Sequence, residues 1–364
     1  VALTVEWIRG AEDFEALAPE WDELLPTDGE PFDLNGWYAA WWKAFGGGEL
    51  AVCAVRRNGE LVAGMPLRRE GRSLKALVNG HSASTRPLAR DEEALDALVA
   101  AVVAARGSEL ELRGLRDADP GCERFRTAAT RLPFSVDPAQ DSPYVAITGD
   151  FEDWRKENKK RWRAPLEQKR RKMEREYEAE IFPCGEAIDL DAELAEGLAL
   201  EGAGWKGTQS TAIESSPRTL AFYRDVAAFF QARGELRFSW IRLDGRPVAF
   251  DFCILYGNRL FTLKSAFDED FKGLAPGLVR QLAEIERCFE LGVEQLELLG
   301  DEGGWKARFA SGNSPHTNLW VFGSGPTGAA RRAYRTSVRP RMRSVYRRLR
   351  SERTPAEGRP PGTD

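Results

Sequence analysis

Histidine is almost missing from this sequence: His81 and His316 are the only two in 364 residues. A metal site built on imidazole is therefore not expected, and neither is a Cys–His or Ser–His dyad. Cysteine is sparse and scattered. Cys53, Cys122, Cys184, Cys253 and Cys288 include no pair at CxxC spacing and are odd in number, so buried reduced thiols are expected rather than disulfides or a thiolate metal centre. No apolar run approaches the ~20 residues that span a bilayer. Val1 to Gly10 carries charges and lacks the apolar core of a signal peptide, so a cytoplasmic location is expected.

What the chain has is length and unevenly placed charge. A length of 364 residues suits two domains, and 42% apolar with 30% charged residues is the balance of a globular protein. The net charge of -5 conceals two basic stretches. Arg155 to Arg175 holds eleven Lys or Arg against three Glu, and Arg331 to Arg353 holds ten Arg against one Glu. Together they carry +17 and leave -22 for the rest. Such concentration leaves room for an anionic partner at two places.

The pattern of elements is α/β and occurs twice. "LTVEWIRG" alternates like a strand, while "DFEALAPEWDELL" and "LNGWYAAWWKAFG" have helical spacing. "ELAVCAVRRNGELVAGMPLRRE" is a hairpin turning at Asn58-Gly59; "DEEALDALVAAVVAARG" is a helix, "ELELRGL" a strand and "CERFRTAATRL" a short helix. A basic helix follows over 151–178, with a break at Ala164-Pro165. Then "TLAFYRDVAAFFQARG" reads as a helix, and three strands turn at Asp244-Gly245 and Gly257-Asn258. "GLVRQLAEIERCFELG" is a helix, and "QLELLG" and "TNLWVFG" are strands. The hairpins "VRRNGELVAGMPL" and "IRLDGRPVAFDF" match in wording, so one α/β unit is read as duplicated. The expected division is a first unit over 1–150, a basic connecting helix over 151–180, a second unit over 181–325, and an Arg-rich helix with a disordered tail over 326–364. In the tail, Tyr334, Val338, Met342, Val345 and Leu349 fall at helical spacing among arginines. That suits either a helix on an anionic membrane surface or one docked on the body.

"FDEDFKGLAPGLVRQLAEI" places two glycines and a proline between a strand and a helix. Helix N-termini expose unpaired N–H groups and attract phosphate, and Gly273 and Gly277 allow close approach of the backbone. Pro276 suits a first helical turn and Lys272 adds a cation. From spacing alone, turn geometry is the favoured account of such a loop. The corresponding helix start in the first unit carries Asp91, Glu92 and Glu93, which repel phosphate.

The second half resembles the BioF2-like acetyltransferases, also called CelD-type proteins of cellulose or exopolysaccharide biosynthesis, within the GNAT superfamily. The resemblance rests on "EGAGWKG", "FYRDVA", "LDGRPVAFDF", "LKSAFDEDFKGLAPG" and "LLGDEGGWKARF", with Ala275 where the family usually has serine. It implies tandem GNAT-like units of mixed sheets and helices, with acyl-CoA, most simply acetyl-CoA, as co-substrate. The donor loop would be Lys272, Gly273, Leu274, Ala275, Pro276 and Gly277. It further implies an amine acceptor between the units, an amino sugar or similar envelope precursor. "WKARF" (Trp305 to Phe309) echoes the F-K-K-G-F motif of Fem-type peptidyltransferases, which makes Lys306 the matching charge-stabilising residue.

Acyl transfer to an amine needs a stabilised oxyanion and a group to take the amine proton. Lys306 is the candidate for the first, and Glu201 or Asp301 for the second. Strand alternation allows Lys264 to point into the same cleft, and Asp268 is read as ordering the loop. Each has a plainer reading: Lys206 and Lys306 follow tryptophans they can lie across, Glu201 can be a solvated helix acid, Asp301 a turn or cap residue, and the two histidines surface or structural. A Fem-like transferase fed by charged tRNA and a non-catalytic assembly factor are the competing readings. Nucleic acid is disfavoured by the acidic remainder, and the basic helix reads first as a solvated connector.

Overall fold

The computed structural model describes residues 2–157, 163–203, 216–300 and 304–338. The first unit opens with strand β1 (Leu3–Ile8), two short helices α1 (Ala11–Ala16) and α2 (Ala18–Asp22), and helix α3 (Asn35–Phe45). Pro19 in the first turn of α2 splits what the spacing read as one helix. Strands β2 (Glu49–Leu50), β3 (Val52–Arg57), β4 (Glu60–Met65), β5 (Leu67–Glu70), β6 (Ser73–Ala76) and β7 (Leu88–Ala89) follow. The unit continues with α4 (Glu92–Ala104), β8 (Glu109–Arg116), α5 (Pro120–Ala129) and β9 (Phe134–Ala146).

Helices α6 (Phe151–Glu157) and α7 (Ala164–Glu176) form the basic connection, with Pro165 in the first turn of α7. Residues 158–162 lie outside the described residues. On α7 the cations are largely matched by acids one turn away: Arg163 with Glu167, Arg170 with Glu174 and Lys172 with Glu176. The second unit then runs through β10 (Ala179–Gly185), α8 (Leu190–Ala203), α9 (Pro217–Ala232), β11 (Leu236–Leu243), β12 (Arg246–Tyr256) and β13 (Arg259–Phe267). It ends with α10 (Pro276–Leu291), β14 (Gln295–Glu297), β15 (Gly312–Phe322) and α11 (Pro326–Ala333).

The duplicated hairpins agree to the residue. Val55 faces Ala63 and Arg57 faces Glu60, with a bulge after Val55; Ile241 faces Ala249 and Leu243 faces Arg246, with a bulge after Ile241. Both turns need positive φ, which Asn58-Gly59 and Asp244-Gly245 supply at 54° and 89°, and 51° and 77°. A short parallel pairing also recurs: Leu74 beside Leu110 in the first unit, Leu260 beside Leu296 in the second.

The units are not separate sheets. One eleven-stranded sheet runs β10-β11-β12-β13-β14-β9-β15-β8-β6-β5-β2, and a four-stranded sheet runs β1-β3-β4-β7. Strand β9 of the first unit therefore lies between β14 and β15, and β15 lies between the two first-unit strands β9 and β8. Sequence patterning missed β9 because it contains Pro138 and Pro143, residues that lack a ladder donor.

Beneath α4 the first unit packs an aliphatic core that includes Leu98, Val102 and Leu110; beneath α10 the second packs Val279, Ile285 and Leu296. Between them lies an aromatic core of Trp21, Phe32, Trp37, Trp41, Phe222, Phe230 and Phe261, drawn from both units. Fully burying a side chain of this size is worth about 1.5–3 kcal/mol, so this layer holds the units together. Gly36 of α3 permits the closest approach there: a Cβ would stand 2.2 Å from the Phe229 ring of α9. All five cysteines are buried free thiols.

Candidate active site

The parallel pairing of β13 with β14 ends at Phe261 and Glu297. Beyond it the strands part. Leu298 turns to bond the Pro143 carbonyl of β9 at 3.0 Å, while Lys264 of β13 faces Phe252 of β12. Leu263 is bulged out of that ladder, between Phe252–Lys264 and Cys253–Thr262. The opening is a cavity of about 640 Å³ whose walls include Thr262–Phe267 on one side and Leu298–Gly300 on the other.

The start of α10 forms one end of this cavity. Ala275 takes a left-handed conformation, φ 51° and ψ 51°, and no described side chain caps the helix. The Leu278 and Val279 N–H groups return to the Ala275 carbonyl, at 3.0 and 3.1 Å. Ala275, Gly277 and Leu278 line the cavity with Lys272 beside them. At Gly277 a Cβ would meet only the Phe267 ring, no nearer than 3.6 Å, so the glycine leaves open space in front of the backbone. Asp268 orders the preceding 3₁₀ turn by accepting from the Asp270 N–H at 2.9 Å, and it pairs with Arg246. From α7, Lys169 donates to the Gly273 carbonyl. Of the loop residues read from sequence, Lys272, Ala275 and Gly277 face the cavity. Leu274 is buried in the core, and Gly273 and Pro276 shape the turn.

Arg280, one turn into α10, also lines the cavity and is only 2% exposed. It is paired with Asp251 of β12, reaches the Gly277 carbonyl at 3.4 Å, and keeps an Nε with no hydrogen-bond partner among the described residues. Burial pulls its guanidinium down to about 10. Sequence reading passed it over, since an arginine on an amphipathic helix gives no sign of facing inward.

The candidate catalytic residues converge on the same space. Glu201, at the end of α8, is buried and lines the cavity; it is not the solvated acid its plainer reading allowed. Lys264 lines it too, its Nζ 5.1 Å from the centre of the Tyr223 ring. Lys306 reaches it, donating to the Leu299 carbonyl, with its Nζ 5.9 Å from the Trp305 ring. Asp301 and Lys206 lie outside the described residues. Among the described residues Glu201 is the only carboxylate on the wall, against Lys264, Lys272, Arg280 and Lys306.

The first unit contributes a residue that the sequence did not single out. His81, read as surface or structural, stands on the cavity wall with Gly80, Ser82, Ala83 and Gln140. Its isolation in a Gly- and Ser-rich loop gave no spacing signal. His316 is buried in β15 with its Nδ1 2.8 Å from the Ser314 carbonyl, a structural place. The C-terminal region docks on the body as far as it is described: Arg331 pairs with Glu109, and Arg335 pairs with Asp137 and lies over Trp320. No helix among the described residues is long and apolar enough to cross a membrane.

Among solved structures, the chain is similar to the C-terminal domain assigned to a lysylphosphatidylglycerol synthetase of Agrobacterium fabrum. The TM-score is 0.56 at 15% identity, covering 88% of this chain and 95% of that one. It is similar to FemX with TM-score 0.58 at 10% identity, covering 90% and 100%. A conserved Bacteroides thetaiotaomicron protein of unknown function gives 0.53 at 14% identity, covering 88% and 100%. These likenesses concern the fold. No protein of curated function matches the sequence. Residues 160–307 match the family "Acetyltransferase (GNAT) domain". The chain is a mixed α/β protein, and most of its second unit lies within the segment that matches this domain family.

Proposed function

We propose that this chain moves an acyl group, acetyl in the simplest case, from acyl-CoA to an amine. The observation that carries this is the uncapped start of α10 opening into the cavity between the parted strands β13 and β14, inside the segment that matches an acetyltransferase domain. The open backbone at Gly277 and the positive end of a sixteen-residue helix suit a diphosphate, with Lys272 adding charge. Arg280 adds a further cation to this wall, held there by Asp251.

In this reading the amine nitrogen bonds to the acyl carbon, the carbon–sulfur bond breaks, and the sulfur leaves as a thiol after gaining a proton. Lys306 would face the oxygen that gains charge, in a cleft where an ammonium acts more strongly than in water. Glu201 would take the proton from the amine. In the first unit Thr85 bridges the corresponding strand gap, and that unit would serve the acceptor instead. We place the chain with the CelD-type, BioF2-like branch, with an amino sugar of envelope or exopolysaccharide synthesis as acceptor. An anionic membrane would be met through the Arg-rich C-terminal segment, which sedimentation with anionic vesicles tests.

Titration calorimetry with acetyl-CoA and longer acyl-CoAs, followed by thiol release with amine acceptors, tests the reading. Binding of none of them by the folded protein overturns it. Binding without thiol release for any amine points to a non-catalytic assembly factor. The internal pairing of the α7 cations disfavours a charged-tRNA donor, and salt-sensitive tRNA binding would reverse that judgement.

A further inference from the structure

The loop bearing His81 is held from both sides. The Asn79 carboxamide oxygen accepts from the His81 N–H at 2.9 Å, and Gln140 of β9 donates to the Ala83 carbonyl at 3.0 Å. The imidazole stacks on Phe45, with centroids 5.4 Å apart and planes at 11°, and meets the Tyr223 ring edge-on. Its Nδ1 lies 3.3 Å from the Tyr223 hydroxyl. Burial pushes the Tyr223 phenol well above its usual range, so it keeps its proton and can donate. Burial, aided by the neighbouring Lys264 ammonium and opposed by Glu201, pulls the imidazole down to about 4. A neutral ring that accepts at Nδ1 carries its proton on Nε2, which makes that nitrogen a donor. The charged groups on the described cavity wall all come from the second unit, whereas Gly80, His81, Ser82, Ala83 and Gln140 of the first are neutral.

We propose that His81 is a specificity residue for the acceptor: its Nε2–H donates to a hydroxyl or carbonyl oxygen beside the reacting amine, on a body without formal charge. This rests on the acyl-transfer reading of the cavity. Glu201 and Lys264 of the second unit line the same cavity near enough to act on the His81 charge, so one small acceptor can set its amine at Glu201 and a neighbouring oxygen at His81.

The experiment uses the full chain, glucosamine as the hydroxyl-bearing amine and cyclohexylamine as the bare one. His81→Ala raises the glucosamine KM about tenfold, the loss of one hydrogen bond, with kcat little changed. The cyclohexylamine KM does not move. His81→Gln, which keeps an N–H near the Nε2 position, restores most of the loss. Glucosamine binding is also followed by NMR without donor, and acetyl-CoA binding by calorimetry. Loss of acetyl-CoA binding in the unaltered chain condemns the parent reading, and the NMR titration still decides this one. Equal KM changes for both amines, no binding of glucosamine, or a fall in kcat with a lost limb in the pH profile overturns the proposal; the last would make His81 a base.

Discussion

The two units part their strands at the same point and fill the gap in opposite ways. After the three-residue parallel pairing of β6 with β8, the chain itself closes the opening: Thr85 bridges Leu115 in parallel, and its N–H reaches the Gly114 carbonyl at 3.0 Å. Behind it lies an ionic cluster in which Arg86, Asp33, Asp119 and Glu30 are buried and Asp28 is exposed. Arg86 stands 2.8 Å from Asp119, 3.3 Å from Asp28 and 3.6 Å from Asp33, and Ser84 donates to Glu30 at 2.5 Å. The neighbouring α4 is capped by Asp91, which accepts from Ala94 and pairs with Arg57. In the second unit the same divergence leaves the cavity, and α10 starts without a side-chain cap. One architecture thus serves stability in one copy and an open seat in the other.

The sharpest way to break the comparison is to empty the first gap. Arg86→Met leaves Asp33 and Asp119 buried without their cation, and breaking such a pair costs about 3–5 kcal/mol, read as a lower urea midpoint. Next is to give α10 the acid that α4 has. Gly277→Asp should weaken acetyl-CoA binding about a hundredfold or more by calorimetry, with the melting temperature unchanged or raised, since an acid in a first helical turn is favourable.

A smaller effect comes from pH. Burial raises the Asp33 carboxyl, and the Glu297 carboxyl, also facing Glu30, to about 7. Both folded values lie above the unfolded ones, so the folded state binds protons more tightly. Stability should fall as pH rises from about 4 to 7 on their account and level off above. Asp33→Asn should flatten that slope in unfolding midpoints measured across the range. The least effect is expected for Asp91→Ala, about 1 kcal/mol from a lost cap, with acetyl-CoA binding untouched.

Much of this was legible in the chain. The hairpin turns, the helix beginning at Pro276 and the acid-crowded start of α4 are local chemistry: φ preferences, missing donors and dipoles act within a few residues. The cavity-lining loop residues Lys272, Ala275 and Gly277 could be singled out for the same reason, and through motif wording. Three things were not legible. Strand β9 has two prolines and finds its ladder only between β14 and β15. Arg280 looks like a surface residue until β12 places Asp251 beneath it. His81 is 142 residues from the tyrosine whose hydroxyl it meets.

By itself, then, the sequence determined most of the elements, the matching hairpins and which helix start was free of acids, because each follows from neighbouring residues along the chain. Only the tertiary structure decided that β9 and β15 are exchanged into one sheet, that the first gap is bridged by Thr85, and that the histidine of one unit shares a cavity with the glutamate of the other. Those outcomes depend on packing between segments far apart in sequence, where the shape of the aromatic layer between the units sets what can meet.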